Sequence, residues 1–221
     1  MNVQLLQEIQ TQLASKGAKL IAVTKTYPPE TIREAYALGC RDFGENRVQE
    51  LLEKQPLLPP DVRWHLIGHL QTNKVRYIAP FVAMIHSVDS SRLLEEINKQ
   101  AAKCGRVIDC LLQFHIAAEE TKFGLSREEA AALLQNEYFE KLSNARICGV
   151  MGMATFTDDE DQIHREFSAL HDHFNWLKTS WFADRPEFCE ISMGMSGDWQ
   201  IALEEGSTMV RIGSLLFGKR N

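Results

Sequence analysis

A lysine at the end of a buried strand is the residue of this chain best placed for covalent chemistry. Lys25 follows Leu20, Ile21, Ala22, Val23 and Thr24, so its amine leaves a largely apolar run. Desolvation there disfavours the ammonium form and favours a neutral amine, which can attack an aldehyde. A lysine whose head merely reaches solvent from a strand end would read the same way. Two further segments bear on the choice. In SMGMSGD (192–198), Met195, Ser196 and Gly197 precede a helix start near Trp199, where backbone N–H groups and a hydroxyl can hold an anion. In RIGS (211–214), Gly213 and Ser214 repeat the glycine and hydroxyl pairing, and Arg211 shares a strand face with Gly213. Each Gly-Ser turn alone is ordinary turn chemistry. An inward arginine needs an acceptor or an anion, and a structural ion pair, for instance with Glu45, would serve as well.

These segments converge only in a particular architecture. Short apolar runs predict strands at 20–24, 42–44, 64–68, 84–88, 107–114, 147–153, 188–193 and 210–213. Helical spacing predicts helices at 30–37, 47–54, 73–78, 92–103, 127–142, 161–178 and 199–204. An opening amphipathic helix carries Val3, Leu5, Leu6, Ile9 and Leu13 and stops near Gly17. Pro28 and Pro29 fit a helix start, and Ser126 followed by Glu129 fits a capping box. Eight strands alternating with helices imply parallel pairing, and closure leaves no open edge. The expected fold is therefore α/β, a single (β/α)8 TIM-type barrel with an extra N-terminal helix, residues 1–221 forming one domain. Only 214–221 follow the last strand, too few for a closing helix, so the N-terminal helix is expected to fill that gap. An open doubly wound sheet is the alternative, but no GxGxxG turn follows the first strand. Such barrels carry function at the C-terminal ends of their strands, with phosphate often bound after strands seven and eight. Closure also sets the first strand beside the eighth, bringing Lys25 next to both Gly-Ser turns.

Composition removes other classes. The chain has 221 residues, 44% of them hydrophobic, and a net charge of −6 from 24 basic and 30 acidic residues. Its basic residues are scattered, which speaks against nucleic acid as a partner. The opening MNVQLLQEIQTQLASKG has no charged leader before an apolar stretch, and no window nears the ~20 apolar residues of a membrane span. A cytoplasmic chain with no membrane partner is expected. Five widely spaced cysteines, Cys40, Cys104, Cys110, Cys148 and Cys189, read as reduced core residues. His164, His171 and His173 share a helix, but they read as structural residues and no metal is expected.

The assembled motifs AVTK, FGENRVQE, WHLIGHLQTNK, EETKFGL, SMGMSGDWQIAL and GSTMVRIGSLLFG resemble the pyridoxal phosphate homeostasis protein family, small proteins related to the barrel domain of alanine racemase. The resemblance implies that pyridoxal 5′-phosphate (PLP) is held on Lys25 as a Schiff base. It implies phosphate contacts at Ser196, Gly213 and Ser214, with Met195 and Gly197 nearby, and Arg211 facing the pyridine nitrogen. It also implies that Asn46 lies close to the cofactor and that His69, Gln71, Asn73 and Lys74 line the mouth. A donor-only arginine there would weaken PLP as an electron sink. One departure is His115, where the family pattern has asparagine, and a histidine satisfied at a strand end is the expectation.

Three functions are compatible with these residues. The resemblance implies a carrier that stores PLP and hands it to PLP-dependent apoenzymes, without robust catalysis; a monomer is expected because a small barrel can stand alone. The second is a PLP-dependent amino-acid racemase, which needs a second base; in alanine racemase this is a tyrosine outside the barrel. The tyrosines here are Tyr27, Tyr36, Tyr77 and Tyr138, and Tyr27 is near enough to Lys25 to be a local contact. The third is a cofactor-free aldolase that grips a sugar phosphate. Colour separates it from the other two, because bound PLP absorbs visible light.

Overall fold

Alternating apolar runs and amphipathic helices fold as expected in a computed structural model that describes residues 1–118 and 123–218. The strands are β1 (Lys19–Val23), β2 (Asp42–Glu45), β3 (Arg63–Leu66), β4 (Met84–Val88), β5 (Ile108–Gln113), β6 (Ala145–Met151), β7 (Glu190–Ser192) and β8 (Met209–Ile212). All pair in parallel in chain order, and β1 closes on β8 in a register running from Lys19 with Met209 to Ala22 with Ile212. Helices α1 (Val3–Ser15), α2 (Pro29–Ala37), α3 (Val48–Lys54), α4 (Val75–Ile78), α5 (Ser91–Lys103), α6 (Arg127–Gln135), α7 (Glu160–Ser180), α8 (Trp199–Glu204) and α9 (Ser214–Phe217) separate or flank them.

The two-residue period of each strand divides the core in two. Ile21, Met84, Leu111, Cys148, Met151 and Met209 meet inside the barrel. Their neighbours in the chain, such as Ala22, Ile85, Cys110 and Val210, face the helices. At the N-terminal ends of the strands the interior gives way to ion pairs: Lys19 with Glu190, Arg63 with Asp42, and Arg146 with Asp109.

Local signals act where the sequence places them. Pro29 is the first residue of α2. Ser126 and Glu129 form both bonds of the capping box, at 3.1 and 2.8 Å. The N-terminal helix fills the place of a closing helix. Asn2 caps it by accepting the Leu5 N–H (3.1 Å) and donates its own N–H to Leu216 O in α9 (3.0 Å). Burial of Leu6, Ile9 and Leu13 holds α1 down, each contributing about 1.5–3 kcal/mol. The helix expected at 127–142 is shorter. It ends at Gln135 because Asn136 turns extended and its side-chain oxygen takes the Tyr138 N–H at 2.9 Å, an Asx turn that competes with the helix. A 3-10 turn, Phe139–Lys141, follows.

Candidate functional site

The C-terminal ends of the strands open into a cleft of about 500 Å³, within the range of small-molecule sites. Lys25, Asn46, Met195, Ser196, Gly197, Arg211, Gly213 and Ser214 all line it. Barrel closure is what assembles them, since β1, β2, β7 and β8 adjoin around the ring.

Lys25 is half-buried in the turn that ends β1. Both peptide groups beside it are gripped by one face of α3. Lys54 Nζ donates to Thr24 O (2.9 Å), and Glu50 Oε2 accepts the Thr26 N–H (2.6 Å). Lys54 and Glu50 pair with each other at 3.0 Å. Thr26 sits at φ +69°, a left-handed conformation unusual for a β-branched residue. The Glu50 bond to its N–H helps hold it there. Glu45 lies beneath: its Oε1 accepts from Thr24 Oγ1 (2.7 Å) and Lys54 Nζ (2.8 Å), while its Oε2 is buried without a hydrogen-bond partner. Burial pushes the Glu45 carboxyl up to about 7, against the opposing pull of Lys54. Burial acts on Glu50 too, but the Thr26 N–H and Lys54 outweigh it and hold Glu50 below its usual value. One ammonium thus balances one carboxylate, and the orphaned Oε2 is the natural seat of the remaining proton.

On the opposite side of the seam, Ser196 Oγ joins the two Gly-Ser turns by accepting the N–H groups of Gly213 (3.3 Å) and Leu215 (3.4 Å). Gly213 is required here, since a Cβ at that position would lie 2.9 Å from Val23 O. Gly68 serves the same purpose at Asn46, whose carbonyl would lie 2.4 Å from an added Cβ. Arg211 is 4% exposed. Its guanidinium donates to Ser192 Oγ (2.6 Å) and Gly152 O (2.9 Å), and burial brings its pKa down to about 10 despite the opposing charge of Asp198. The ion pair envisaged with Glu45 does not form, because Glu45 is bound to Lys54. Two of the five N–H groups of Arg211 are thereby used, both by neutral oxygens.

Other expectations resolve differently. His69 lines the cleft and stacks on Phe123 (ring centroids 4.3 Å apart), but Gln71, Asn73 and Lys74 are exposed and do not line it. They fall on and just before a 3-10 turn, Thr72–Lys74, that buries Val75 and Ile78 after it and leaves these polar side chains outside. His115 is half-buried and also outside the lining. None of the four tyrosines lines the cleft; Tyr27 turns away, its hydroxyl donating to Gly218 O at 2.6 Å and its ring packing on Phe217. Most of EETKFGL, residues 119–122, lies outside the described residues. Sequence reasoning missed Gln113, Met153 and the loop after β6, where Phe156 is 97% exposed at the rim. It also missed inward-facing His65 and His86, although a polar residue at an inward position of a strand could have flagged each one.

The arrangement offers an amine, a cluster of backbone and hydroxyl groups suited to a phosphate, and a donor-only guanidinium suited to an unprotonated ring nitrogen. The model of the family "Alanine racemase, N-terminal domain" matches residues 4–221. The pyridoxal phosphate homeostasis protein of Aquifex aeolicus is 42% identical over 204 residues, which is 92% of this chain and 87% of that protein. Solved structures of PipY from Synechococcus elongatus, without and with PLP bound, superpose with TM-scores of 0.90 and 0.87 at 37% and 36% identity. They cover 99% and 98% of this chain, and 100% and 99% of the PipY chain.

Proposed function

The chain belongs to the pyridoxal phosphate homeostasis protein family, built on the alanine racemase N-terminal domain, and from this we propose that it binds PLP and acts in PLP homeostasis, storing and transferring the cofactor. The observation that carries the reading is the meeting of Lys25, the Ser196 and Gly213 turns and Arg211 in one cleft. The Lys25 amine condenses with the PLP aldehyde: the C–N bond forms and the aldehyde oxygen leaves as water. Ser196, Gly213 and Ser214 hold the phosphate, Met195 and Gly197 flank it, and Asn46 lies alongside the ring. Arg211 donates to the ring nitrogen. Because an arginine cannot share its proton readily, that nitrogen stays unprotonated and carbanion chemistry is poorly supported. This favours a carrier over a racemase.

Residues 1–221 act in this reading as one PLP-binding barrel domain. The eight site residues come from a single chain, so a monomer suffices. Recipients are PLP-dependent apoenzymes, which would approach the rim at Phe123 and Phe156, 58% and 97% exposed. A cytoplasmic location suits five cysteines that are all free thiols, three of them buried. Among the described residues no helix is long and apolar enough to cross a membrane.

The absorption spectrum of the purified protein, before and after PLP is added, is the test. A visible band and a borohydride-reducible linkage are expected, and Lys25→Ala should abolish the linkage while the barrel unfolds at the same temperature. A colourless wild type that takes up no PLP and keeps Lys25 unmodified overturns the reading. Interconversion of alanine or serine enantiomers at ordinary enzyme rates, lost in Lys25→Ala, would establish the racemase instead.

A further inference from the structure

A file of hydrogen-bonded side chains runs through the barrel interior from the cleft to the opposite end. Arg211 Nη1 donates to Ser192 Oγ at 2.6 Å, and Ser192 Oγ lies 3.0 Å from His86 Nδ1. His86 Nε2 lies 2.9 Å from His65 Nδ1, and His65 Nε2 lies 2.9 Å from Asp42 Oδ1 at the start of β2. Ser192, His86 and His65 are 0, 0 and 4% exposed. Their neighbours inside the barrel include Ile21, Met84, Cys148 and Met209. Polar groups in such a place are costly unless every one is satisfied. Nothing in the PLP-binding roles above uses His86, His65 or Asp42.

The two ends of the file are compatible with one proton order in which each imidazole carries a single proton. Arginine only donates, so Ser192 Oγ accepts from it and sends its own proton to His86 Nδ1. His86 then carries its proton on Nε2 and donates to His65 Nδ1. His65 in turn donates from Nε2 to Asp42. Burial favours an ionisable Asp42 carboxyl staying neutral, but hydrogen bonds from His65 and Arg63 outweigh it and keep its pKa low, so it accepts. Burial, aided by the charge of Arg211, holds His86 well below the ordinary histidine value and so keeps it neutral. The reverse order would require His65 to carry two protons, because Asp42 only accepts.

We propose that Ser192, His86, His65 and Asp42 form a positioning device for Arg211, holding an oxygen lone pair on its guanidinium so that the remaining N–H groups are presented to a ring nitrogen in the cleft. The device orients Ser192, Ser192 and Gly152 O orient Arg211, and His86 and His65 act without touching the cofactor. The inference rests on the PLP reading of the cleft.

The test is PLP titration of the full chain, followed by its visible absorption band and by borohydride trapping on Lys25, for wild type, Ser192→Ala, His86→Leu and His86→Asn. Asparagine can place an acceptor near the position of Nδ1, whereas leucine cannot. Trapping on Lys25 is expected in all four proteins. Ser192→Ala and His86→Leu should shift the band and weaken PLP binding about tenfold, the scale of one lost hydrogen bond to a charged group. His86→Asn should restore both towards wild type. Ser192→Ala removes one hydroxyl and decides the matter if His86→Leu fails to fold. An unchanged band and affinity in Ser192→Ala overturns the device, as does His86→Asn behaving like His86→Leu. A wild type that binds no PLP overturns the reading of the cleft, and this inference with it.

Discussion

At the N-terminal end of the barrel, Lys19, Arg63 and Arg146 pair with carboxylates while their side chains stay 51, 60 and 49% exposed. At the C-terminal end, Lys54 and Arg211 are 6 and 4% exposed, and one cation is shared by two carboxylates while the other is held by neutral oxygens. Water screens the first group, and pairs of that kind contribute little to stability. The second group is shielded from water, so each charge there depends on its specific partners. The contrast separates a scaffold end, where charge closes the barrel cheaply, from a working end, where charge sets the position of Lys25 and Arg211.

The largest break in that contrast should come from Lys54→Met. It leaves Glu45 and Glu50 without their cation and frees the Thr24 carbonyl. Urea unfolding should show a loss of about 3–5 kcal/mol, the usual cost of orphaning a buried charge. An equal loss from Arg146→Met would erase the difference between the ends.

The pH dependence sharpens it, because one carboxyl at each end carries the opposite sign. Glu45, raised to about 7, favours the folded state when protonated; its contribution is complete below the ordinary carboxyl value of 4.5 and is lost as pH rises through about 7. Asp42, depressed by His65 and Arg63 against the effect of burial, contributes above the ordinary carboxyl value and loses that contribution as pH falls through its lowered one. Between pH 5 and 8 the Glu45 effect should lower stability by on the order of 2 kcal/mol. Glu45→Gln should flatten the profile in that window and leave the acid limb, where Asp42 acts, in place. Denaturant midpoints across pH read both.

Ser196→Ala should weaken PLP binding about tenfold, or roughly 1.4 kcal/mol, by removing the hydroxyl between the Gly213 and Leu215 N–H groups. Its unfolding temperature should stay near wild type, since the site is at the surface of the cleft. The smallest effect belongs to Arg146→Met at the scaffold end. With the arginine half exposed, unfolding should move by less than about 1 kcal/mol.

Much of this was legible in the chain. MIHSV is the strand Met84–Val88 and WQIALE the helix Trp199–Glu204, both at the bounds that the apolar spacing predicts. Pro29 and the Ser126 box act locally, so their effects are readable locally. Residues 136–142 were not legible as a break, because helical spacing continues past Asn136 and only its side-chain turn ends the helix. Gln71, Asn73 and Lys74 were placed at the mouth from a motif, whereas burial of Val75 and Ile78 turns them outward.

By itself, the sequence determined the alternation of elements, the lysine at the first strand end and the glycine and serine turns at the last two. Periodicity and turn chemistry are properties of neighbouring residues, and they carry that much. Only the tertiary structure decided that Lys54 and Glu50 grip the peptides around Lys25, and that His86 meets Ser192 across 106 residues to support Arg211. Such contacts depend on strand register and barrel closure, where a shift of one residue would turn each side chain to the other face.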